Sequence, residues 1–232
     1  MNNDGEKMKS DNITPHKSSN YDTEIYQTIP YYDLIHEETI QFVKAYNQNP
    51  TTWLDTGCGT GNLAVKIDSK FNLNELVLAD PSDRMLKIAE NKLNKSKIKF
   101  INSDTFSLNM NHEYFDIITA IQSHHYLSKA DREKATMKCF DLLKKNGLYI
   151  TFENTRPISN ESIKITQEYW KQYQIEHGKT IEQSEIHINR FDKEYFPITV
   201  EEHIKTYLNT GFSVVDFFWK SYMQVGFYCV KK

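Results

Sequence analysis

No excess of either charge runs through this 232-residue sequence: 28 Lys and Arg stand against 31 Asp and Glu, a formal net charge of -3. A nucleic-acid backbone therefore meets no global basic field, and only a local patch stays open as a contact. The lysines of KLNKSKIK at 92–99 are one such patch, read as a solvated helix end. Cysteine is scarce and odd in number. Cys58, Cys139 and Cys229 lie far apart with no C-x-x-C pair, which argues against a zinc site or a disulfide framework and fits reduced thiols. No metal-ligand spacing stands out, so no metal is expected. No apolar run approaches a signal-peptide core or a membrane span, so the expected location is the cytoplasm without a membrane partner. There is no internal repeat. The first residues, MNNDGEKMKSDNITPHKSSN, have almost no apolar side chain to bury, and a disordered tail is expected over 1–22.

What is present suits one α/β core. Hydrophobic residues make up 39% and aromatics 13%, enough for a single domain over 23–232 and too little chain for two. From Ile29 the stretch IPYYDLIHEETIQFVKAYN has helical spacing and stops at Pro50. Then strands (TTWLDTG, ELVLAD, IKFINSD, FDIITAIQ, LYITFE) alternate with helices (GNLAVKIDSKF, PSDRMLKIAENKL, and SKADREKATMKCFDLLKK stopped by Gly147). Strands apolar throughout and separated by helices predict a doubly wound parallel sheet covered on both faces. The alternation breaks after Glu153. Residues 154–197, polar yet carrying Tyr169, Trp170, Tyr173, Phe191, Tyr195 and Phe196, read as a helical lid over a pocket. At helical spacing Tyr169 and Tyr173 suit packing better than pocket lining. Thr199 and Glu202 form a T-x-x-E capping box for a helix ended by Gly211. FSVVDFFW and GFYCVKK, joined by SYMQV, must be antiparallel, since a parallel pair needs a long crossover.

The chemistry centres on WLDTGCGTG at 53–61. A dinucleotide fingerprint laid from Gly57 and Gly59 wants a third glycine at 62, where Asn62 stands, and no G-K-[ST] follows for a phosphate loop. What remains is D-x-G-x-G-x-G, glycines that clear side chains so that a ligand lies on the backbone, with Asp55 at the strand end. An acid there favours a ligand with a cation, such as the ammonium and sulfonium of S-adenosylmethionine. Its carboxylate can face the free N–H groups of the next helix. Asp80 closes the second strand, placed to accept ribose hydroxyls. Asp104 closes the third, where a carboxylate can take the adenine amine. After the fourth, Gln122, Ser123, His124 and His125 stand at the carboxyl edge, where ligands bind in open α/β sheets.

WLDTGCGTG, ADPSDRML, INSD, FDIITAIQSHHYL and the reversed last strand pair resemble the class I S-adenosylmethionine-dependent methyltransferases over residues 30–232. The resemblance implies a seven-stranded sheet in the order 3-2-1-4-5-7-6 with strand 7 antiparallel. It also implies a cofactor across the ends of strands one to four. IPYYDLI, the long post-strand-five segment, VEEHIKTYLNTGF and GFYCVKK are more closely similar to the carboxy-S-adenosylmethionine synthase group of tRNA wobble-uridine modification. That likeness implies that Tyr32 touches the cofactor's methionine end and leaves Arg190 as an offset candidate for an extra carboxylate. Ile121 stands where that group has an asparagine.

The expected reading is a methyltransferase with S-adenosylmethionine as cofactor, S-adenosylhomocysteine as its product, and a small-molecule acceptor. Glycine-loop residues Asp55, Gly57, Cys58, Gly59 and Gly61 should hold the cofactor together with Tyr32. The later strand ends supply Asp80, Pro81, Met85, Asp104, Thr105 and Gln122. His124 and His125 are the catalytic candidates, suited by their titration range to general-base work, although methyl transfer from a sulfonium can run on orientation alone. Tyr26, Arg156, Arg190 and Tyr195 are the candidates for acceptor contacts, the arginines for a carboxylate. Two other classes stay open: a cofactor-remodelling enzyme of the carboxy-S-adenosylmethionine kind, and a non-catalytic S-adenosylmethionine-binding subunit. A homodimer that exchanges the 154–197 segment is also open.

Overall fold

Five stretches become parallel strands, four of them covered on both faces and the third partly exposed at the sheet edge. They are β1 (Thr52–Thr56), β2 (Glu75–Asp80), β3 (Ile98–Asn102), β4 (Phe115–Ile121) and β5 (Leu143–Asn154); β6 (Val214–Ser221) and β7 (Gln224–Val230) follow. This computed structural model describes residues 11–12, 14–93 and 95–232. The sheet order is β3-β2-β1-β4-β5-β7-β6, with β7 antiparallel to both neighbours and the other pairs parallel, as the resemblance implied. Side chains on alternate strand positions enter two separate cores. Trp53, Leu76, Leu78, Ile117 and Leu148 pack with α2 (Tyr32–Tyr46) and α3 (Asn62–Lys70) through Ile35, Val43, Ala64 and Ile67. Leu54, Val77, Ile118 and Tyr149 face the other way, onto Cys139 and Leu142 of α5 (Lys129–Leu142) and Tyr207 of α8 (Val200–Thr210).

Two boundaries differ from expectation. The helix anticipated from Ile29 is broken by Pro30: Ile29 is forced to extended backbone as the residue before proline, and Tyr31 takes a left-handed φ of 56°. An earlier helix, α1 (Tyr21–Thr28), precedes the break, and α2 starts after it. The helix expected to reach Gly147 ends instead at Leu142, because the carbonyls of Asp141 and Leu142 accept the N–H groups of Glu113 and Tyr114 and Leu143 pairs with Phe115. Gly147 is needed for a close approach, since a Cβ there would lie 2.8 Å from the Lys144 carbonyl oxygen.

The expected tail is also shorter than 1–22. Its first ten residues lie outside the described residues, but Ser18–Asn20 form a 3-10 turn leading into α1, and His16 is buried, bonded to Glu24 (2.7 Å) and Thr28 (3.0 Å). One apolar face of α1, with Ile25 and Ile29, is enough to dock it beside the core. Residues 154–197 contain α6 (Asn160–Glu176) and α7 (Ile181–Ile188), each opened by a reciprocal capping box. Trp170 of α6 is fully buried and donates to the Thr28 carbonyl (2.7 Å), which ties this segment to α1. Tyr173 is buried as well, whereas Tyr169 is exposed and stacks on Tyr222 at 4.0 Å. The Thr199–Glu202 box and the left-handed Gly211 bound α8 as expected.

Candidate functional site

The carboxyl ends of β1 to β4 converge because four parallel βα units run the same way, so each following turn opens on one edge. After β1 the glycine loop turns through three left-handed residues, Gly57 (φ 66°), Gly59 (φ 54°) and Gly61 (φ 78°). Any side chain at Gly57 is excluded twice over, by that backbone and by Ser123, whose Cβ would be 2.4 Å from the new one. The loop is fastened to β2: the Cys58 N–H donates to the Ala79 carbonyl (3.1 Å), and the Gly59 N–H to Asp80 Oδ2 (2.9 Å). Asp80 Oδ1 accepts from the Ser82 N–H (2.8 Å). Burial raises the Asp80 pKa, and these two N–H groups oppose the rise. Asp104 sits past β3 and caps the turn Thr105–Ser107, accepting from the Ser107 N–H at 2.8 Å.

These groups surround a cavity of about 360 Å³. Of the residues expected to hold a cofactor, Gly57, Gly59, Asp80, Pro81, Met85, Asp104, Thr105 and Gln122 line it. Tyr32, Asp55, Cys58 and Gly61 do not. Asp55 is buried one layer below, accepting from Thr119 (2.7 Å), and burial pushes its carboxyl up to about 7. Tyr32 packs behind Tyr21, edge-on to Tyr26 and His36, while Tyr21 itself faces the cavity. Cys58 keeps its thiol protonated, since burial and then Asp80 and Asp55 push the thiol up.

The turn after β4 is held tightly. Gln122 has a left-handed φ of 54° and its N–H donates to the Phe152 carbonyl (2.7 Å). Neither atom of its buried side-chain amide, nor the Ser123 hydroxyl, has a hydrogen-bond partner among the described residues. Gln122 lines the main cavity and a second, about 20 Å³, space for a water or two, beside it. His124 lines the main cavity with both ring nitrogens engaged, Nε2 by Thr105 (3.0 Å) and Nδ1 by the Tyr149 hydroxyl (3.1 Å). Burial pushes its pKa down to about 4, so the ring is neutral near pH 7. His125 points away from both cavities and into the protein, where its N–H (2.7 Å) and Nδ1 (3.0 Å) meet Glu153 and its Nε2 meets Asn154 (3.2 Å). Glu153 is the charged member of this pair. Burial alone would raise it, but the His125 hydrogen bond holds it down to about 2, while burial keeps His125 low and neutral.

The second cavity gathers Arg190 and Tyr195 from the 154–197 segment with Asn154, Tyr126, His16 and His187. Arg190 pairs with Glu194 (2.6 Å) and stands near the Tyr126 ring (5.8 Å from its centre). The Tyr195 hydroxyl is buried without a partner among the described residues. The other two acceptor candidates lie elsewhere: Arg156 pairs with Asp192 and covers the Phe191 ring, and Tyr26, 40% exposed, donates to Asp33 (3.3 Å) on an outer groove. In the basic run, Lys92, Lys95, Lys97 and Lys99 each meet a carboxylate, of Asp22, Asp68, Asp68 and Glu75 respectively.

Sequence reasoning passed over Glu153, although an acid that ends the apolar run LYITFE at the ligand edge was a readable signal. It also passed over Arg132. Buried in α5, Arg132 donates to the carbonyls of His124 (3.2 Å), Leu127 (3.3 Å) and Phe196, locking the post-β4 turn to the 154–197 segment, and no local pattern marks such a role. Among the described residues no group of three or more His, Cys, Asp or Glu is arranged to hold a metal, and no helix is long and apolar enough to cross a membrane.

Comparison with known proteins agrees with this architecture. The methyltransferase-domain family matches residues 54–147. A carboxy-S-adenosyl-L-methionine synthase of Nautilia profundicola is 23% identical over 209 residues, 88% of each chain. A ubiquinone/menaquinone biosynthesis C-methyltransferase of Proteus mirabilis is 31% identical over 121 residues, 50% of this chain and 47% of its own. A solved structure of a putative S-adenosyl-L-methionine-dependent methyltransferase from Methanococcus maripaludis superposes with a TM-score of 0.64 at 16% identity, over 92% of this chain and 90% of its own, a likeness of fold.

Proposed function

We propose that the chain, which matches the methyltransferase-domain family over residues 54–147, moves the methyl group of S-adenosylmethionine to a small-molecule acceptor in the cytoplasm. One observation carries the reading: Gly57, Gly59, Asp80 and Asp104 meet around one cavity at the carboxyl edge of the sheet. The cavity fits the cofactor on its own terms. A Cβ at Gly57 would collide with Ser123, so backbone alone faces that side, and the unpartnered Gln122 amide and Ser123 hydroxyl call for a polar ligand. Asp80, already oriented by two N–H groups, has lone pairs left for the ribose hydroxyls, and Asp104 for the adenine amine. When bound, the cofactor supplies a methyl group on a cationic sulfur that leaves as a neutral thioether.

The protein's part in the transfer is orientation. His124 is neutral, with both nitrogens bonded to neighbours, so it fixes the wall beside the acceptor and takes no proton in this arrangement. Gln122, shared by the two cavities, aligns the acceptor against the cofactor, and Arg190 with Tyr195 meets the acceptor's polar end. His125 acts from behind, through Asn154. The three free cysteines suit a reducing compartment.

A thermal-shift titration tests this. S-adenosylhomocysteine should raise the melting temperature and NAD should not, and no shift at millimolar S-adenosylhomocysteine contradicts the proposal. A second reading, cofactor remodelling as in a carboxy-S-adenosylmethionine synthase, is favoured by relatives of that name that span 88% and 92% of this chain, including the segment after β5. Mass spectrometry of ligand carried through purification separates the two, since only the second reading expects an added carboxyl mass.

A further inference from the structure

We propose that residues 11–12 and 14–20 complete the cofactor site as a strap, and that release of its tip from α4 (Asp83–Lys92) gates exchange of the S-adenosyl ligand; the inference rests on the cofactor reading above. Asp11, Asn12 and Thr14 line the main cavity together with the glycine loop, and Thr14, Pro15 and His16 also line the small one. One segment therefore roofs both spaces. The small cavity holds no more than a water or two, so an acceptor enters it only when one of its walls moves.

The two ends of the strap are held differently. At the base, buried His16 bridges Glu24 and Thr28, and Trp170 holds the same turn of α1 from beyond. At the tip, two contacts among the described residues reach the start of α4. The Ser82 hydroxyl donates to the Asp11 carbonyl (3.1 Å), and Arg84, 70% exposed, donates to the Asp11 carboxylate (3.1 Å). The same carboxylate accepts from the Ser18 N–H (3.1 Å) and hydroxyl (2.6 Å), so Asp11 joins the latch to the body of the strap. The Ser18 hydroxyl above all holds this carboxyl well below the usual range, so it stays charged throughout the working pH range. A single ion pair whose arginine is exposed and one neutral hydrogen bond form the latch among the described residues, a small set of contacts that opens easily and is drawn shut when a ligand adds contacts to Asn12 and Thr14. Closure and ligand binding then reinforce each other by linkage.

The dissociation rate of S-adenosylhomocysteine from the full-length chain tests the strap, measured by stopped-flow displacement alongside hydrogen exchange. Asp11→Ala, which cuts the latch and the Ser18 bonds together, should speed dissociation about tenfold, and Arg84→Ala about twofold. The amides of Thr14 and of residues 16–20 should exchange more slowly with ligand bound, and less so in Asp11→Ala. Arg84 is a surface side chain, so its variant keeps the test valid even where Asp11→Ala lowers stability. Unchanged dissociation in both variants, or no ligand-dependent protection of Thr14 and residues 16–20, overturns the strap. A wild-type chain that binds no S-adenosylhomocysteine overturns the cofactor reading itself.

Discussion

The two adjoining cavities are built in opposite ways. The sheet side of the larger comes from consecutive strand ends: Gly57 and Gly59 after β1, Asp80 at β2, Asp104 past β3, and Gln122 to His124 after β4. The smaller is assembled from segments far apart in the chain, with Thr14 to His16, Tyr21 to Ile29, Gln122 and Tyr126, Asn154, and His187 to Tyr195. Their chemistry differs too. Three carboxylates, of Asp11, Asp80 and Asp104, mark the first, whereas the second holds the Arg190 guanidinium with the buried imidazoles of His16 and His187. Rigid strand ends can hold a fixed ligand precisely, and a wall drawn from inserted helices can vary to suit another. On the proposed function, the first serves the cofactor and the second the acceptor.

Substitutions can break that division, beginning with the strongest. Asp80→Ala removes a charged acceptor from the ribose and should weaken S-adenosylhomocysteine binding at least about 100-fold by calorimetry, with the circular dichroism of the free protein unchanged. Retained affinity would put the ligand elsewhere. Glu153→Ala strips partners from the His125 N–H, the His125 ring and the Thr151 hydroxyl in a dry interior. It should cost about 3 kcal/mol and lower the melting temperature by roughly 6–12 °C. A drop under 2 °C, well below that estimate, would show that the post-β4 turn stands without it.

Acid should then loosen the fold gradually. His124, His36 and His203 are pushed down by burial to about 4, 3 and 3, from an ordinary value of 6.5. Below pH 6.5 the unfolded chain takes up protons that the folded chain refuses, so stability is full above that value and falls as pH drops towards 4. Glu153, held at about 2, extends the loss in the same direction below its unfolded pKa. Urea midpoints measured from pH 8 to pH 4 should show this slope, and His36→Phe should flatten it; an unaltered slope contradicts the burial account. The smallest effect belongs to Arg190→Lys, which keeps the charge and loses the planar fork. It should leave S-adenosylhomocysteine affinity within about twofold, since Arg190 borders only the small cavity. A larger loss would merge the two cavities into one functional site.

The same contrast explains what was legible in the amino-acid sequence. Strand composition and helix spacing disclosed the central sheet, and the resemblance supplied the strand order, because two-sided burial leaves a one-dimensional trace. Asp80 and Asp104 were readable for the same reason, as were the Thr199–Glu202 box and the antiparallel last pair. The strap was not. Its side chains are polar and its order depends on His16, Glu24, Thr28 and Arg84, none of which forms a local pattern. Asp55 shows a subtler limit: an acid at a strand end can be read from the string, but its position one layer below the cavity follows from Thr119 on the neighbouring strand. Arg132 and the Glu153–His125–Asn154 chain were hidden likewise, as contacts between distant elements.

The most direct test of the central claim is a crystal structure of the full-length chain with S-adenosylhomocysteine. The expected result is a ribose on the Asp80 carboxylate, an adenine against Asp104, and the sulfur turned towards Gln122 and the small cavity. Ligand bound away from the carboxyl edge of β1 to β4, or with its sulfur facing away from Gln122, contradicts it.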